Sequence, residues 1–167
     1  LSEISKIYQE NLLASKEALE YLKNRGYSLN DIKEYRLGYA LDKWDSIYAK
    51  YENDDAVKDL LELGIVSHSE NRYYDTFKNR IMIPILNVKG DIIGFGGRDI
   101  SSNPNVAKYL NSKESKIFKK SFELFGVFDG GKKIKEYNSC ILVEGYFDVL
   151  ALHKNNIKNV VASLGTA

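Results

Sequence analysis

Two carboxylates near the end of the chain have the type and spacing to hold a metal ion. Glu144 ends the apolar run CILVE, Gly145 follows it at once, and Asp148 falls in the first turn of a helix predicted over YFDVLALHKNN. Ligands of open α/β sheets bind beyond the carboxyl ends of strands, and Mg²⁺ prefers a few carboxylates together with waters and phosphates. The same pattern also suits a structural role, in which Asp148 favours the helix dipole and Glu144 forms an ion pair.

Basic residues are concentrated in the second half of the chain. Residues 1–77 carry 10 Lys and Arg against 15 Asp and Glu, whereas residues 78–167 carry 14 against 8. The net charge of the whole chain is only +1. Such an asymmetry is typical of a protein in which one half faces a polyanion, although a solvated lysine-rich surface has the same composition.

The elements that must position these groups differ along the chain. Apolar residues spaced by three and four predict one helix from residue 2 to about residue 24, and three shorter helices follow it. The first of these is predicted over residues 30–35 and is capped by Asn30. The second lies around Trp44, Ile47 and Tyr51 and begins at Asp42 or Lys43. The third extends from Asp54 to Leu63. The first 65 residues are therefore interpreted as a compact helical unit.

Strand-forming residues dominate from about Asn71. The segments RYYDTF, RIMIPILNV and DIIGFGGRDI predict strands, and the Lys89-Gly90 turn predicts that the last two form a hairpin. Pro84 favours an edge position or a bulge in its strand. Residues 101–120 are interpreted mostly as loop, and residues 124–136 as a short helix interrupted by glycines.

The final segment has the pattern of a βαβ unit. CILVE and NVVASLG are apolar strands on either side of one helix, which predicts a parallel sheet with a right-handed crossover. Cys140, in the first of these strands, is interpreted as a buried packing residue. Two parallel strands leave faces and edges uncovered, so we expect the chain to be part of a longer protein.

Composition disfavours several classes of protein. No apolar run approaches the roughly 18 residues of a membrane helix, and the N-terminus lacks the features of a signal peptide. A cytoplasmic location is therefore expected. His68 and His153 lie far apart in the sequence with no further ligand nearby, so no zinc site is expected within the chain.

The run EGYFDV at residues 144–149 resembles the EGxxD motif that opens the Toprim domain of bacterial replicative DNA primases. Further segments resemble the same family, and in the same order. They are RGYS (25–28), LGYA (37–40), FKNRIMIPI (77–85), IGFGGR (93–98), KYLNS (108–112), FKK (118–120) with LFG (124–126), and ASLGT (162–166). Ala107 and Ser121 stand where the family usually has Pro and Gly, but neither departure removes a charged group.

This resemblance implies an α+β subdomain of a primase catalytic core, with helices and a small antiparallel sheet, over residues 1–136. A partial α/β Toprim domain with a parallel βαβ unit follows over residues 137–167. The implied activity is that of a DNA-dependent RNA polymerase, in which a 3′-hydroxyl attacks the α-phosphate of an NTP and pyrophosphate leaves. A DxD pair that completes the metal site is expected beyond these residues, so the fragment is expected to be inactive. It is also expected to be monomeric.

The resemblance also implies the site residues. Glu144 and Asp148 are the implied catalytic groups and ligands of Mg²⁺ or Mn²⁺. Five basic residues are implied at the nucleic-acid and NTP-binding surface: Arg98, Lys108, Lys120 and, as weaker candidates, Arg80 and Arg25. The planar Arg fork suits bidentate phosphate contacts, and Lys supplies a compact charge. The scheme requires that Glu144 ends a buried strand and points into the same cleft as the cations at positions 98, 108 and 120.

Ligands and partners are implied in the same way. Single-stranded DNA, an RNA–DNA hybrid and NTPs are the expected ligands, and the replicative helicase is expected to bind a C-terminal domain outside the chain. Zinc is expected only in an N-terminal domain outside the chain. Gly94, Gly96 and Gly97 are expected to let the backbone bend or approach a ligand closely, and Tyr109 is expected either to stack on a base or to pack.

Two other classes of function remain open at this point. A Toprim topoisomerase or nuclease uses a similar glutamate, and a non-enzymatic nucleic-acid-binding module needs only the basic half. The FGGR and KYLNS segments favour the primases over a topoisomerase or nuclease.

Overall fold

The computed structural model describes residues 1–165, so Thr166 of the final motif lies outside the described residues. The helices are α1 (Ser2–Ala14), α2 (Lys16–Asn24), α3 (Leu29–Glu34), α4 (Tyr48–Tyr51), α5 (Ala56–Glu62), α6 (Val127–Tyr137) and α7 (Tyr146–Lys154). The strands are β1 (Gly38–Ala40), β2 (Val66–Ser69), β3 (Arg72–Asp75), β4 (Arg80–Leu86), β5 (Ile92–Asp99), β6 (Tyr109–Asn111), β7 (Leu124–Phe125), β8 (Ile141–Val143) and β9 (Val160–Ser163). None of the helices described is both long and apolar enough to cross a membrane.

The first sheet has the order β1-β4-β5-β6, and all of its pairs are antiparallel. Strands β4 and β5 form the predicted hairpin. Strand β1 pairs only with residues 80–82 of β4, and the β4–β5 register shifts between Ile85 and Leu86. Pro84 therefore lies on a locally open edge next to an irregularity, where a residue without an N–H is tolerated, and the prediction for Pro84 is confirmed.

The N-terminal helix is divided in two, which differs from the single helix predicted. Ser15 has an extended backbone, with φ −101° and ψ 108°, and its hydroxyl accepts a hydrogen bond from the Ala18 N–H at 3.2 Å. A serine hydroxyl that caps the backbone competes with helix continuation, while the apolar face that predicted the helix continues across the break. The third helix is likewise capped by Ser28, which forms a capping box with Asp31, and not by Asn30 as predicted.

The interpretation of the first 65 residues as wholly helical is wrong at β1. A Cβ at Gly38 would lie 2.4 Å from the Cβ of Tyr8, so α1 rests directly on this strand. The Tyr8 ring meets the ring of Phe95 edge-on, with 5.4 Å between centroids. A strand of three residues is too short to show a periodic pattern in the sequence. Its stability comes from its pairing with β4 and from its contact with α1.

The four-stranded sheet has a hydrophobic cluster on each face. Ile81 and Ile83 of β4 belong to a cluster that extends to α2, α3 and α7, and Met82 belongs to a second cluster with Tyr8 and Phe95. Side chains alternate between the two faces of a strand, so this division follows from the register of β4. Burial of each such side chain stabilises the fold by about 1.5–3 kcal/mol.

The second sheet has the order β7-β9-β8, with β8 parallel and β7 antiparallel to β9. The predicted βαβ unit, β8-α7-β9, is therefore confirmed, and so is the mixed α+β and α/β fold class. Strand β7 precedes residue 137 but belongs to this sheet, and the domain boundary between residues 136 and 137 stays a prediction.

Strand β8 is not buried within the described residues, contrary to the prediction. Leu142 is 67% exposed and Cys140 is also exposed. The reason is its place at the edge of the sheet, where β9 is its one neighbour in residues 1–165. An apolar run alone does not distinguish a central strand from an edge strand.

Contacts between α3 and the βαβ unit join the two sheets. Lys154 forms an ion pair with Asp31 at 3.7 Å, and Lys158 forms one with Glu34 at 3.2 Å. The Tyr27 hydroxyl, just before α3, donates to the backbone carbonyl of Phe147 at 3.3 Å. The first turn of α7 is thereby fixed against the helical part of the chain.

Candidate functional site

The two predicted metal ligands lie at the start of α7. Gly145 caps this helix with an extended backbone, and the exposed residues Glu144 and Asp148 flank it in the sequence. A Cβ at Gly145 would lie 3.3 Å from Oδ2 of Asp148, so the carboxylate folds back over the glycine. Within residues 1–165 neither carboxylate forms an ion pair, and both keep their oxygens free for a ligand.

Tyr146 fixes this helix start against the first sheet. Its ring packs where Gly96 of β5 has no side chain, and its hydroxyl donates to Oδ1 of Asn111 at 2.6 Å. Burial raises the pKa of Tyr146 well above its usual range, so the hydroxyl remains a donor at neutral pH. Asn111 also donates from Nδ2 to the carbonyl of Leu164 at 2.8 Å. One side chain of β6 thus holds the start of α7 and the residue that follows β9.

The glycines of IGFGGR admit side chains of the protein itself. A Cβ at Gly96 would lie 2.6 Å from the Tyr146 ring, and one at Gly97 would lie 2.9 Å from Cδ of Arg80. A Cβ at Gly94 would likewise lie 3.3 Å from Cδ1 of Phe118. The space beside these glycines is therefore taken by side chains of the same chain, and close approach of a ligand stays a prediction.

Arg98 lies on the same face of β5 as Gly96, next to the start of α7. Its Nε donates to the Tyr21 hydroxyl at 3.0 Å, and its guanidinium lies 5.0 Å from the centroid of the Tyr109 ring. The Tyr109 and Tyr146 rings are in turn 6.3 Å apart. Tyr109 therefore packs between the cation and Tyr146 at the helix start, and its side chain is still 38% exposed.

Arg25, at the end of α2, contacts the first turn of α7. Its guanidinium lies 5.1 Å from the centroid of the Tyr21 ring and 5.2 Å from that of Phe147 in the first turn of α7. Burial raises the pKa of Tyr27 to about 12, while the Arg25 charge lowers it and the Asp148 charge raises it.

The two predicted lysines lie on either side of β6 in the sequence. Lys108 is exposed and lines a depression together with Tyr21 and Arg98. Lys120 lies in the loop after β6, where its backbone N–H donates to Oε1 of Glu114 at 3.0 Å. The relation of the Lys120 side chain to Glu144 stays a prediction.

Arg80 lies on the opposite face of the sheet from Arg98. It is buried, and its Nη1 donates to the carbonyls of Gly97 at 3.2 Å and Ala107 at 2.9 Å. These bonds tie the loop before β6 to β4. Arg80 borders a groove that is also lined by Lys78 and by the exposed Trp44. The Nζ of Lys78 lies 4.7 Å from the centroid of the Trp44 ring.

Arg25 thus contacts Phe147 in the first turn of α7, Arg98 lies against Tyr109 beside Tyr146, and Lys108 lines a depression with Arg98. That these cations share a cleft with Glu144 and Asp148 stays a prediction. Sequence reasoning assigned no role to the residues that hold this arrangement, which are Tyr21, Asn111 and Tyr146. Asn111 and Tyr146 lie inside the KYLNS and EGYFDV motifs, so the motifs themselves indicated that these residues have a role. Tyr21 lies four residues before the RGYS motif and outside every motif. Among residues 1–165 no group of three or more His, Cys, Asp or Glu forms a metal-binding cluster.

Comparisons with known proteins identify the family of the chain. The family model described as "DNA primase catalytic core, N-terminal domain" matches residues 7–130, and the Toprim domain model matches residues 138–167. A DNA primase of Legionella pneumophila is 43% identical over 169 residues, which cover 100% of this chain and 29% of that protein. The chain therefore spans less than a third of that relative.

Solved structures are similar over nearly the whole chain. The E. coli primase catalytic core superposes with a TM-score of 0.90 at 35% identity, covering 99% of this chain and 53% of that one. A primase catalytic domain solved bound to single-stranded DNA gives a TM-score of 0.90 at 35% identity, covering 99% of this chain and 52% of that one.

Proposed function

We propose, because this chain belongs to the family of the DNA primase catalytic core, that it is the part of a primer-synthesising RNA polymerase that carries the nucleic-acid surface and the first metal-binding carboxylates. The whole protein makes short RNA primers on single-stranded DNA. A 3′-hydroxyl attacks the α-phosphorus of an NTP, the bond to the bridging oxygen breaks, and pyrophosphate leaves.

One observation carries this proposal: two arginines and two carboxylates border the same helix start. Arg25 and Arg98 contact aromatic residues in or beside the first turn of α7, and Glu144 and Asp148 flank Gly145 at that turn. Cations beside carboxylates suit a reaction in which a polyanion must approach a metal site. That Glu144 points towards Arg98, Lys108 and Lys120 is part of the proposal.

The donor set fits a hard divalent cation. Glu144 and Asp148 offer exposed carboxylate oxygens without an ion-pair partner in the described part of the chain. When Mg²⁺ or Mn²⁺ is bound, it supplies charge neutralisation at the phosphate oxygens. Two carboxylates leave most of the coordination shell to water, phosphate and other ligands, as Mg²⁺ prefers. Tyr146 keeps these carboxylates at a fixed place relative to the first sheet.

Single-stranded DNA and NTPs are the proposed ligands of the basic surface. Arg98 and Lys108 meet phosphates, and Tyr109 offers a ring for base stacking. The exposed Trp44 offers an aromatic face on the other side of the sheet, where Lys78 lies 4.7 Å from its ring centroid and pairs with Asp42 at 2.8 Å. An RNA–DNA hybrid, the replicative helicase and a cytoplasmic location belong to the same proposal for the whole protein.

The test is ribonucleotide incorporation on a single-stranded template by the full-length protein with Mg²⁺. We expect Glu144→Gln to lower primer synthesis by about a hundredfold or more, because the neutral amide is a poor ligand for the metal. Binding of a labelled single strand should change by less than about twofold, since no cation is altered. Glu10→Gln, an exposed glutamate of α1, is the matched control and should retain full activity.

Other outcomes would support the rival functions. Normal single-strand binding by the unaltered protein without any synthesis would identify a binding module. Relaxation or cleavage of supercoiled DNA, lost in Glu144→Gln, would identify a topoisomerase or nuclease. Full synthesis by Glu144→Gln would contradict the assigned role of this carboxylate.

A further inference from the structure

Two arginines from different elements meet on one tyrosine side chain. Tyr21, on α2, accepts a hydrogen bond from Nε of Arg98 at 3.0 Å, although 77 residues separate them. The same Tyr21 ring lies 5.1 Å from the guanidinium of Arg25. Tyr21 is half-buried, so it is held by its surroundings while it contacts both cations.

These contacts hold the arginines without neutralising them. All ion pairs within residues 1–165 are formed by lysines, and neither Arg25 nor Arg98 has a carboxylate partner there. A carboxylate in the place of Tyr21 would fix the guanidinium equally well but would cancel its charge. A tyrosine ring and hydroxyl restrict the side chain and leave the full positive charge to a ligand.

The geometry also leaves the binding edge of Arg98 free. Tyr21 takes the Nε–H, and Tyr109 lies against the guanidinium at 5.0 Å. Within the described residues the two terminal nitrogens of Arg98 have no hydrogen-bond acceptor. A planar fork held along one edge and one face presents its remaining donors in a single direction, which suits bidentate contact with a phosphate.

We propose that Tyr21 is a positioning residue that holds Arg25 and Arg98 ready for the phosphates of a nucleic-acid strand or an NTP. The inference rests on the proposed function and deepens it. Tyr21 acts through the two arginines, so its contribution depends on their presence. Its loss leaves both charges in place but lets the side chains move, and binding must then restrict them.

The experiment measures the affinity of the full-length protein for a labelled oligothymidylate. Tyr21→Phe removes only the hydroxyl, and we expect binding to weaken about threefold to tenfold, because one long side chain must be ordered on binding. Tyr21→Leu also removes the ring beneath Arg25 and should weaken binding further. Tyr137→Phe, an exposed tyrosine on α6, is the matched control and should bind as the unaltered protein does.

A double-mutant cycle separates positioning from a merely structural role. In an Arg98→Ala background, Tyr21→Phe should cause no further loss of affinity, because the group that it orients is gone. A structural role would instead lower affinity equally in both backgrounds and would lower the thermal midpoint with it.

The outcomes distinguish failure of this inference from failure of the proposed function. If Arg98→Ala weakens binding but Tyr21→Phe does not, or if the Tyr21→Phe loss is the same without Arg98, the positioning role is wrong and the basic surface stands. If Arg98→Ala itself binds normally, both the basic surface and the role of Tyr21 are wrong.

Discussion

At the scale of single residues, Arg80 and Arg98 differ in what they can contact. They lie in adjacent strands, yet Arg80 pairs with Asp99 and Arg98 pairs with Ile81, which places them on opposite faces of the sheet. Arg80 is buried and donates to two backbone carbonyls, whereas Arg98 keeps its terminal nitrogens free among the described residues. Residue type alone makes both candidates for phosphate binding, and their surroundings separate them.

The exposed Lys108 gives the first prediction at this scale. In the full-length protein, Lys108→Glu should weaken single-strand binding about threefold to tenfold and lower the slope of log affinity against log salt by about one, because a phosphate contact is lost. Fluorescence anisotropy over a series of salt concentrations measures both quantities.

Lys132→Glu is the control for Lys108→Glu, because Lys132 is an exposed lysine of α6 and the change in net charge is the same. It should leave both the affinity and the slope nearly unchanged. Equal effects of the two substitutions would mean that net charge alone, and no local contact of Lys108, governs binding.

At the scale of elements, α7 has a start that carries the proposed metal ligands and an end that makes structural contacts. Glu144 and Asp148 lie at its first turn, while His153 in its last turn is buried and its Nε2 lies 2.9 Å from the carbonyl of Val160 in β9. That carbonyl accepts, so Nε2 carries the proton in this arrangement. The last turn of the helix is thus fixed to the strand that follows it.

The burial of His153 predicts a dependence of stability on pH. Desolvation lowers the pKa of His153 below its ordinary value of 6.5. Below pH 6.5 the unfolded chain therefore binds more protons than the folded one, and the free energy of unfolding should fall as the pH decreases from about 7.5 to about 5.5. Urea denaturation at a series of pH values measures this decline.

The second histidine of the chain provides the control for this measurement. His153→Gln should reduce the decline in stability, whereas His68→Gln, which alters an exposed residue of β2, should preserve it. A decline that persists unchanged in His153→Gln would assign the titration to another group.

At the scale of the whole molecule, the candidate site depends on how the two sheets are joined. Lys154 and Lys158 pair with Asp31 and Glu34 of α3, and these half-exposed ion pairs contribute little to stability individually. The Tyr27 hydroxyl donates to the Phe147 carbonyl inside the junction, where water does not compete. This bond links the helical part directly to the turn that carries the carboxylates.

Loss of the Tyr27 hydroxyl should therefore lower the free energy of unfolding. Tyr27→Phe should lower the free energy of unfolding by about 1 kcal/mol, the typical net contribution of one buried hydrogen bond. Tyr73→Phe, which removes an exposed hydroxyl from β3, should change it by less than about 0.5 kcal/mol. Equal stability of the two variants in urea denaturation would show that the Tyr27 bond contributes nothing.

The sequence alone was sufficient for features that depend on neighbouring residues. The hairpin at Lys89-Gly90 and the βαβ unit follow from local patterns, and the family follows from the resemblance of several motifs in the same order; each is confirmed. The break at Ser15, the strand at Gly38 and the β-strand within residues 101–120 were missed, because each is stabilised by a cap or by a partner strand that local periodicity does not reveal.

Only the tertiary structure decided which side chains share a face and which strand lies at an edge. The resemblance ranked Arg98 above Arg25 and Arg80, but the sequence could not show that Arg80 is buried on the opposite face from Arg98, since that depends on the pairing of β4 with β5. Nor could it show that Tyr21 contacts both free arginines or that β8 is exposed. Composition and periodicity record what each segment prefers, whereas contacts between distant segments arise only when their registers and packing are set together.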